Sequence, residues 1–187
     1  MNNRPLGRRQ FMRYSAAGVA LTASSRAIAQ AHAMPQAEPA HTEGPVTTRC
    51  DVLVVGGGTA GTIAAIQAGR IGAKTFLLER NSQLGGAMTT GGVSFPGLFD
   101  AWGKQIIAGI GWELVRQSVE FDGGTFPDFS QVPDRHWKNQ VRINPFLYAL
   151  LAEEKCEQAG VEIAYYEFPQ AVRRTTDGWQ VDCAGFG

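Results

Sequence analysis

Gly56-Gly57-Gly58-Thr59-Ala60-Gly61 and, further on, Glu79 are the residues whose types and spacing most directly imply a chemistry. In a Gly-x-Gly-x-x-Gly run, Gly56 permits a tight turn and Gly58 lets main chain approach a pyrophosphate. Gly61 lets a following helix pack closely on a sheet. The first turn of that helix would offer unpaired N–H groups and the positive end of its dipole to phosphate oxygens. A carboxylate at Glu79 would accept hydrogen bonds from the hydroxyls of an adenosine ribose. It would also repel a 2′-phosphate, which disfavours NADP even though Arg80 is next to it.

These residues need a strand, a helix and a second strand to hold them, and all three are legible. Val52-Leu53-Val54-Val55 is a continuous β-branched and apolar run, as expected of a parallel strand buried on both faces. Ile63, Ala64, Ile66 and Ile71 then recur at helical spacing up to Gly72, a helix-stop residue. Thr75-Phe76-Leu77-Leu78 is a second strand and ends on Glu79. With strand, glycines, helix, strand and acid in that order, the glycine run is a dinucleotide fingerprint and not a chance match.

The choice between NAD and FAD turns on the stretch after Glu79. Leu84-Gly85-Gly86 supplies a second glycine pair, which would let another backbone segment close on a larger, enclosed cofactor. Here the chain resembles the FAD-dependent oxidoreductases of the glutathione-reductase-like superfamily. Within it, the likeness is to the family that includes xanthan-lyase-like proteins and heterodisulfide-reductase flavin subunits. The matching pieces are Val54 to Gly61, Glu79-Arg80 and Leu84-Gly85-Gly86-Ala87-Met88-Thr89-Thr90-Gly91-Gly92-Val93. The resemblance implies an α/β fold of the FAD-type Rossmann kind, a parallel βαβ sheet with a β-hairpin or meander insertion. It implies FAD as cofactor, with Gly56, Gly57, Gly58, Thr59, Ala60 and Gly61 along the pyrophosphate and Glu79 on the adenosine ribose. Arg80 would lie on the adenine side, Gly85 and Gly86 would approach from the opposite wall, and Val172 would set a main-chain group beside adenine. An NAD-binding Rossmann protein is the alternative with the same fold.

Disulfide reductases of this superfamily carry a cysteine pair soon after the double glycine. Ala87 to Val93 has none, with Met88 and Val93 standing in that region, so thiol exchange is not expected there. What remains is hydride or electron exchange between flavin and a small organic substrate, with no catalytic residue assigned. Residues 94–142 are an insertion or substrate-facing region. Trp102, Ile106, Ile107, Ile110, Leu114, Val115 and Val119 predict one amphipathic helix interrupted by Gly109 and Gly111, with Trp102 and Trp112 in the core. Residues 121–133 read as a loop. His136 and Arg142 could handle a proton and an anion, but a surface role is the favoured reading.

Asn144-Pro145 opens a helix, Asn as cap and Pro at the first position, with Phe146, Leu147, Leu150, Leu151 and Cys156 as its buried stripe. Residues 161–166 follow as a third parallel strand, and a hairpin crosses Asp177-Gly178.

The 44% hydrophobic and 18% charged composition is that of a globular chain. Arg4, Arg8, Arg9, Arg13 and Arg26 face no acid up to Ala33, so the rest is mildly acidic, which argues against nucleic acid as a partner. Gly7-Arg8-Arg9-Gln10-Phe11-Met12, a short apolar run and Ala27-Ile28-Ala29 or Ala31-His32-Ala33 resemble a twin-arginine signal over residues 1–33. That predicts use of the twin-arginine export machinery, a periplasmic or secreted location and no membrane span. Residues 34–49 read as a linker and 50–187 as the FAD-binding domain. His32 and His41 fall outside it. Cys50, Cys156 and Cys183 make no metal motif; Cys156 and Cys183 are expected to be buried thiols. The resemblance also predicts further motifs after Gly187, so the chain is expected to be an incomplete enzyme, a truncated non-catalytic fragment being the rival reading.

Overall fold

The computed structural model describes residues 47–185. The expected signal segment and nearly all of the expected linker lie outside them. Strand β1 (Val52–Val55) leads into helix α1 (Thr59–Arg70) and back to β2 (Thr75–Glu79). A short 3₁₀ turn, Gly86–Met88, precedes a two-residue ribbon of β3 (Asp100–Ala101) and β4 (Lys104–Gln105). Helix α2 (Ile110–Phe121), a second 3₁₀ turn (His136–Asn139) and helix α3 (Pro145–Gln158) follow. Strand β5 (Glu162–Tyr165) then joins the sheet, and β6 (Glu167–Thr175) and β7 (Gly178–Gly185) form a separate antiparallel ribbon.

The main sheet is parallel in the order β1-β2-β5. Its central strand carries the strongest burial: Thr75, Leu77, Leu78 and Glu79 are all buried. A central strand covered on both faces has no polar side to show, which is why β2 reads as an apolar run and not as an alternation. The core continues through Ala65 and Ile66 of α1, Leu114, Val115 and Val119 of α2, and Tyr148, Leu151, Ala152 and Cys156 of α3. The expected α/β Rossmann architecture is therefore observed, with the third parallel strand and the hairpin over Asp177-Gly178 in place.

Helix α3 starts as its sequence predicts. Asn144 Oδ1 accepts hydrogen bonds from the N–H groups of Phe146 (3.1 Å) and Leu147 (3.4 Å), with Pro145 at the first helical position. Its buried face keeps Leu151 and Cys156 as expected but excludes Phe146 and Leu150. Tyr148, Leu151, Ala152 and Cys156 face inward, whereas Phe146 and Leu150 are exposed at 80% and 63%. At about 100° per residue, Phe146 and Leu150 lie across the helix from Tyr148, whose ring packs under Gly85.

The expected long helix from Trp102 is a second correction. The chain between Ala101 and Lys104 turns back through Trp102 (φ +51) and Gly103 (φ +70), a two-residue hairpin with both central residues left-handed. Trp102 is 87% exposed and not core, and Ile106 and Ile107 are exposed as well. Helix α2 begins only after Gly109, whose φ of +85 ends any continuous helix. Trp112 does pack inward, its ring centroid 4.9 Å from that of Phe99 and 5.3 Å from that of Phe126.

Cys183 lies exposed on β7, contrary to its expected burial, because neither face of the two-stranded β6–β7 ribbon is covered well enough to bury any of its residues. Cys156 is fully buried, and burial pushes its thiol up to about 12. At pH 8 only about one such thiol in ten thousand is ionised. Brief alkylation of the native chain is therefore expected to modify Cys183 and to leave Cys156 free until denaturant is added. Equal modification of both under native conditions, read by peptide mass spectrometry, would contradict the packing of α3.

Candidate functional site

Four segments converge at the carboxyl ends of β1 and β2. The first is the turn after β1. Gly56 has φ +94, and its N–H donates to the Leu78 carbonyl at 2.8 Å. A Cβ on Gly61 would overlap the Gly56 carbonyl oxygen, so α1 can start this close to the strand only with glycine there. The Thr62 hydroxyl donates to the Gly57 carbonyl at 2.9 Å and pins the first turn of α1 to the loop.

Gly58 is the N-cap of α1 and offers no side chain to its first-turn N–H groups. A Cβ built on it would meet nothing within 4 Å. The helix end thus opens on free space, with its N–H groups available to an anion. Ala60 is exposed on the same turn.

The second segment is the end of β2. Glu79 is buried, at 5% exposure, and its carboxylate is held on three sides. Oε2 accepts from the Gly57 N–H at 2.6 Å, and Oε1 accepts from both the Asn81 N–H (2.6 Å) and Asn81 Nδ2 (2.8 Å). A carboxylate offers about four acceptor positions, so one remains on Oε2. Glu79 is consequently a fixed acceptor, oriented before any ligand arrives. Arg80, beside it, is exposed.

The third segment, Leu84 to Thr89, lies directly against the glycine turn. The Gly85 N–H donates to the Gly57 carbonyl at 2.8 Å, the Thr59 hydroxyl donates to the Gly85 carbonyl at 3.0 Å, and Gly58 and Gly85 form an isolated parallel bridge. A Cβ on Gly86 would come within 2.9 Å of Gly58 Cα. Gly86 is therefore required by contact between the two loops, whereas Gly85, with φ +101, is required by its left-handed backbone and by the Thr89 and Tyr148 side chains that a Cβ there would meet. The Thr59 hydroxyl is committed as a donor to that contact, which leaves its main chain to face a ligand.

The fourth segment is the β5–β6 junction, where the Tyr166 N–H donates to the Asn81 carbonyl at 3.4 Å. No hydrogen bond among the described residues ties the remaining sequence candidates to this cluster. Val172 sits within β6, opposite Val181, and is 57% exposed. His136 and Trp137 are exposed on a 3₁₀ turn. Arg142 is exposed, with its guanidinium 4.9 Å from the centroid of Phe95. Asn81 was not singled out from sequence. A polar residue two positions after the acid is the only local sign of it, because its role depends on how the chain turns back on Glu79.

The cluster can hold a dinucleotide: an open helix N-terminus for phosphates lies next to a buried, preoriented carboxylate for hydroxyl donors. Among the described residues no helix is long and apolar enough to cross a membrane. A family model described as FAD dependent oxidoreductase matches residues 51–185. Solved structures similar to this chain include THI4 of Thermovibrio ammonificans, at 15% identity and a TM-score of 0.44, covering 71% of this chain and 45% of that one. The OxyS anhydrotetracycline hydroxylase from Streptomyces rimosus matches at 18% identity and a TM-score of 0.49, over 74% of this chain and 29% of that one. A thioredoxin reductase of Lactococcus lactis matches at 24% identity and a TM-score of 0.40, over 72% of this chain and 31% of that one. The chain spans less than half the length of each of the three.

Proposed function

We propose that this chain, which belongs to the FAD dependent oxidoreductase family, uses the glycine turn and Glu79 to hold the pyrophosphate and adenosine of FAD, in an enzyme that oxidises or reduces a small organic molecule. FAD is the cofactor of this family, and when bound it supplies the hydride or electron exchange. The observation that carries the assignment of residues is the pairing of an open Gly58 with a buried, clasped Glu79. Both features fit the group: the first leaves room for a pyrophosphate, the second keeps an acceptor free for a ribose hydroxyl.

On this reading Gly56, Gly57, Gly58, Thr59, Ala60 and Gly61 line the pyrophosphate, the last four chiefly through the first turn of α1. Gly85 and Gly86 close the opposite wall, Arg80 lies toward adenine, and the main chain at Val172 borders the base. Residues 1–33 are proposed to be a twin-arginine signal that exports the folded protein to the periplasm or beyond, and residues 50–187 the FAD-binding domain. Export of folded cargo suits a cofactor made in the cytoplasm, because the chain must close on it before crossing.

The test is an absorbance spectrum of the purified full chain, with the flavin released by denaturation and identified. Bands at roughly 370 and 450 nm and release of FAD are expected. A folded, colourless protein that takes up no added FAD would overturn the proposal. Gly58→Ala sharpens it. A methyl group there meets no protein atom, so the melting temperature is expected to stay within about 2 °C of the parent, while FAD affinity falls roughly tenfold or more. Undiminished affinity in this variant would move the pyrophosphate away from Gly58.

A further inference from the structure

The chain leaves the parallel sheet at Tyr166 with φ +61, in the left-handed region. A bulky residue there is an outlier, and such strained positions collect at ligand clamps. Glycine or asparagine would make the same turn with less strain, so the turn alone does not account for tyrosine.

Its position is informative. Tyr165 is the register partner of Glu79, which puts Tyr166 one residue past the carboxyl edge of the sheet, next to the strand that ends in the clasped carboxylate. In open parallel sheets nucleotides sit outside that edge. The Tyr166 N–H is bonded to the Asn81 carbonyl, and Asn81 in turn holds Glu79 Oε1 by two hydrogen bonds. The backbone that carries the ring is thereby tied to the acceptor for the ribose. The side chain is 47% exposed, and its hydroxyl has no hydrogen-bond partner among the described residues.

We propose that the Tyr166 ring is the stacking face for the adenine base of FAD, held over its site by the left-handed turn and the Asn81 link. This rests on the reading of Glu79 as the ribose acceptor. A flat aromatic face suits a purine because every base presents a π-face to it, and stacking of this kind is sensitive to loss of the ring but not of the hydroxyl.

The experiment titrates the full chain with FAD and with ADP, each carrying adenine, and records the melting temperature of the cofactor-free protein. Tyr166→Asn keeps a residue that tolerates φ +61 and removes the ring. It is expected to bind both ligands roughly tenfold more weakly while melting no lower than the parent. Tyr166→Phe keeps the ring and is expected to bind within about twofold of the parent. A Tyr166→Asn chain with full affinity overturns the proposal. So does a Tyr166→Phe chain that loses as much as Tyr166→Asn, or an affinity loss that simply follows a fall in melting temperature. A parent chain with no affinity for FAD would instead overturn the assignment of the whole site, and this proposal with it.

Discussion

Glu79→Ala is expected to lower the stability of the folded chain by roughly 2–4 kcal/mol and to abolish measurable FAD binding. The estimate comes from the donors it would strand. The Gly57 N–H is buried and has Glu79 Oε2 as its acceptor at 2.6 Å. A buried donor left without a partner costs about 1–3 kcal/mol. The two Asn81 donors at 2.6 and 2.8 Å are partly buried and can recover some of their loss to water, so they add less. In a domain of this size each kcal/mol moves the melting temperature by about 2–4 °C, so a drop of roughly 4–16 °C is expected. Glu79→Gln is not expected to rescue the site. Whichever way the amide is turned, its NH₂ meets an N–H donor, from Gly57 on one side or from Asn81 on the other. Melting curves and FAD titrations of the two variants check this. An alanine variant that melts with the parent would mean that the clasp contributes nothing to the fold.

Much of this site was legible in the sequence because its determinants are local. The spacing of Gly56, Gly58 and Gly61 between an apolar strand and an apolar-periodic helix, and an acid closing the next strand, are each short-range patterns. The structure turns them into β1, α1 and β2 in parallel register. The contact of the two glycine loops was anticipated from Gly85-Gly86. The hydroxyl of Thr59 and the carbonyl of Gly57 as its means were not, since they join residues over 20 positions apart. Periodicity misled where apolar residues continued across a break. Ile106 and Ile107 extend the stripe of α2 backwards in sequence, but the left-handed Trp102-Gly103 turn and Gly109 separate them from it in space. Composition likewise could not choose between two apolar faces of α3. Tyr148 and Ala152 won over Phe146 and Leu150 because the space under Gly85 takes a ring. Tyr166 left no mark at all: a tyrosine at the end of a strand is ordinary, and only its backbone angle separates it from any other.

Gly61→Val is expected to be the most damaging single change in the glycine turn, and for a reason independent of FAD. The space a Cβ would need at position 61 is taken by the Gly56 carbonyl oxygen, which is main chain and cannot rotate away. The Val54 Cγ1 methyl stands 3.4 Å from the same point. The helix must therefore retreat from β1, and the Thr62–Gly57 hydrogen bond and the close packing of Ala65 and Ile66 retreat with it. Losing a buried hydrogen bond and opening the α1–sheet interface together cost roughly 4 kcal/mol or more, a large share of the stability of any single domain. Insoluble expression, or a urea midpoint far below that of the parent, is expected even with the cofactor absent. The contrast with Gly58→Ala separates the two kinds of glycine in one motif. At Gly61 the added carbon strikes the protein itself, whereas at Gly58 it enters space that only a ligand would fill. A Gly61→Val chain with the urea midpoint of the parent would show that α1 does not approach β1 this closely, and the position of the helix N-terminus over the phosphate site would fall with it.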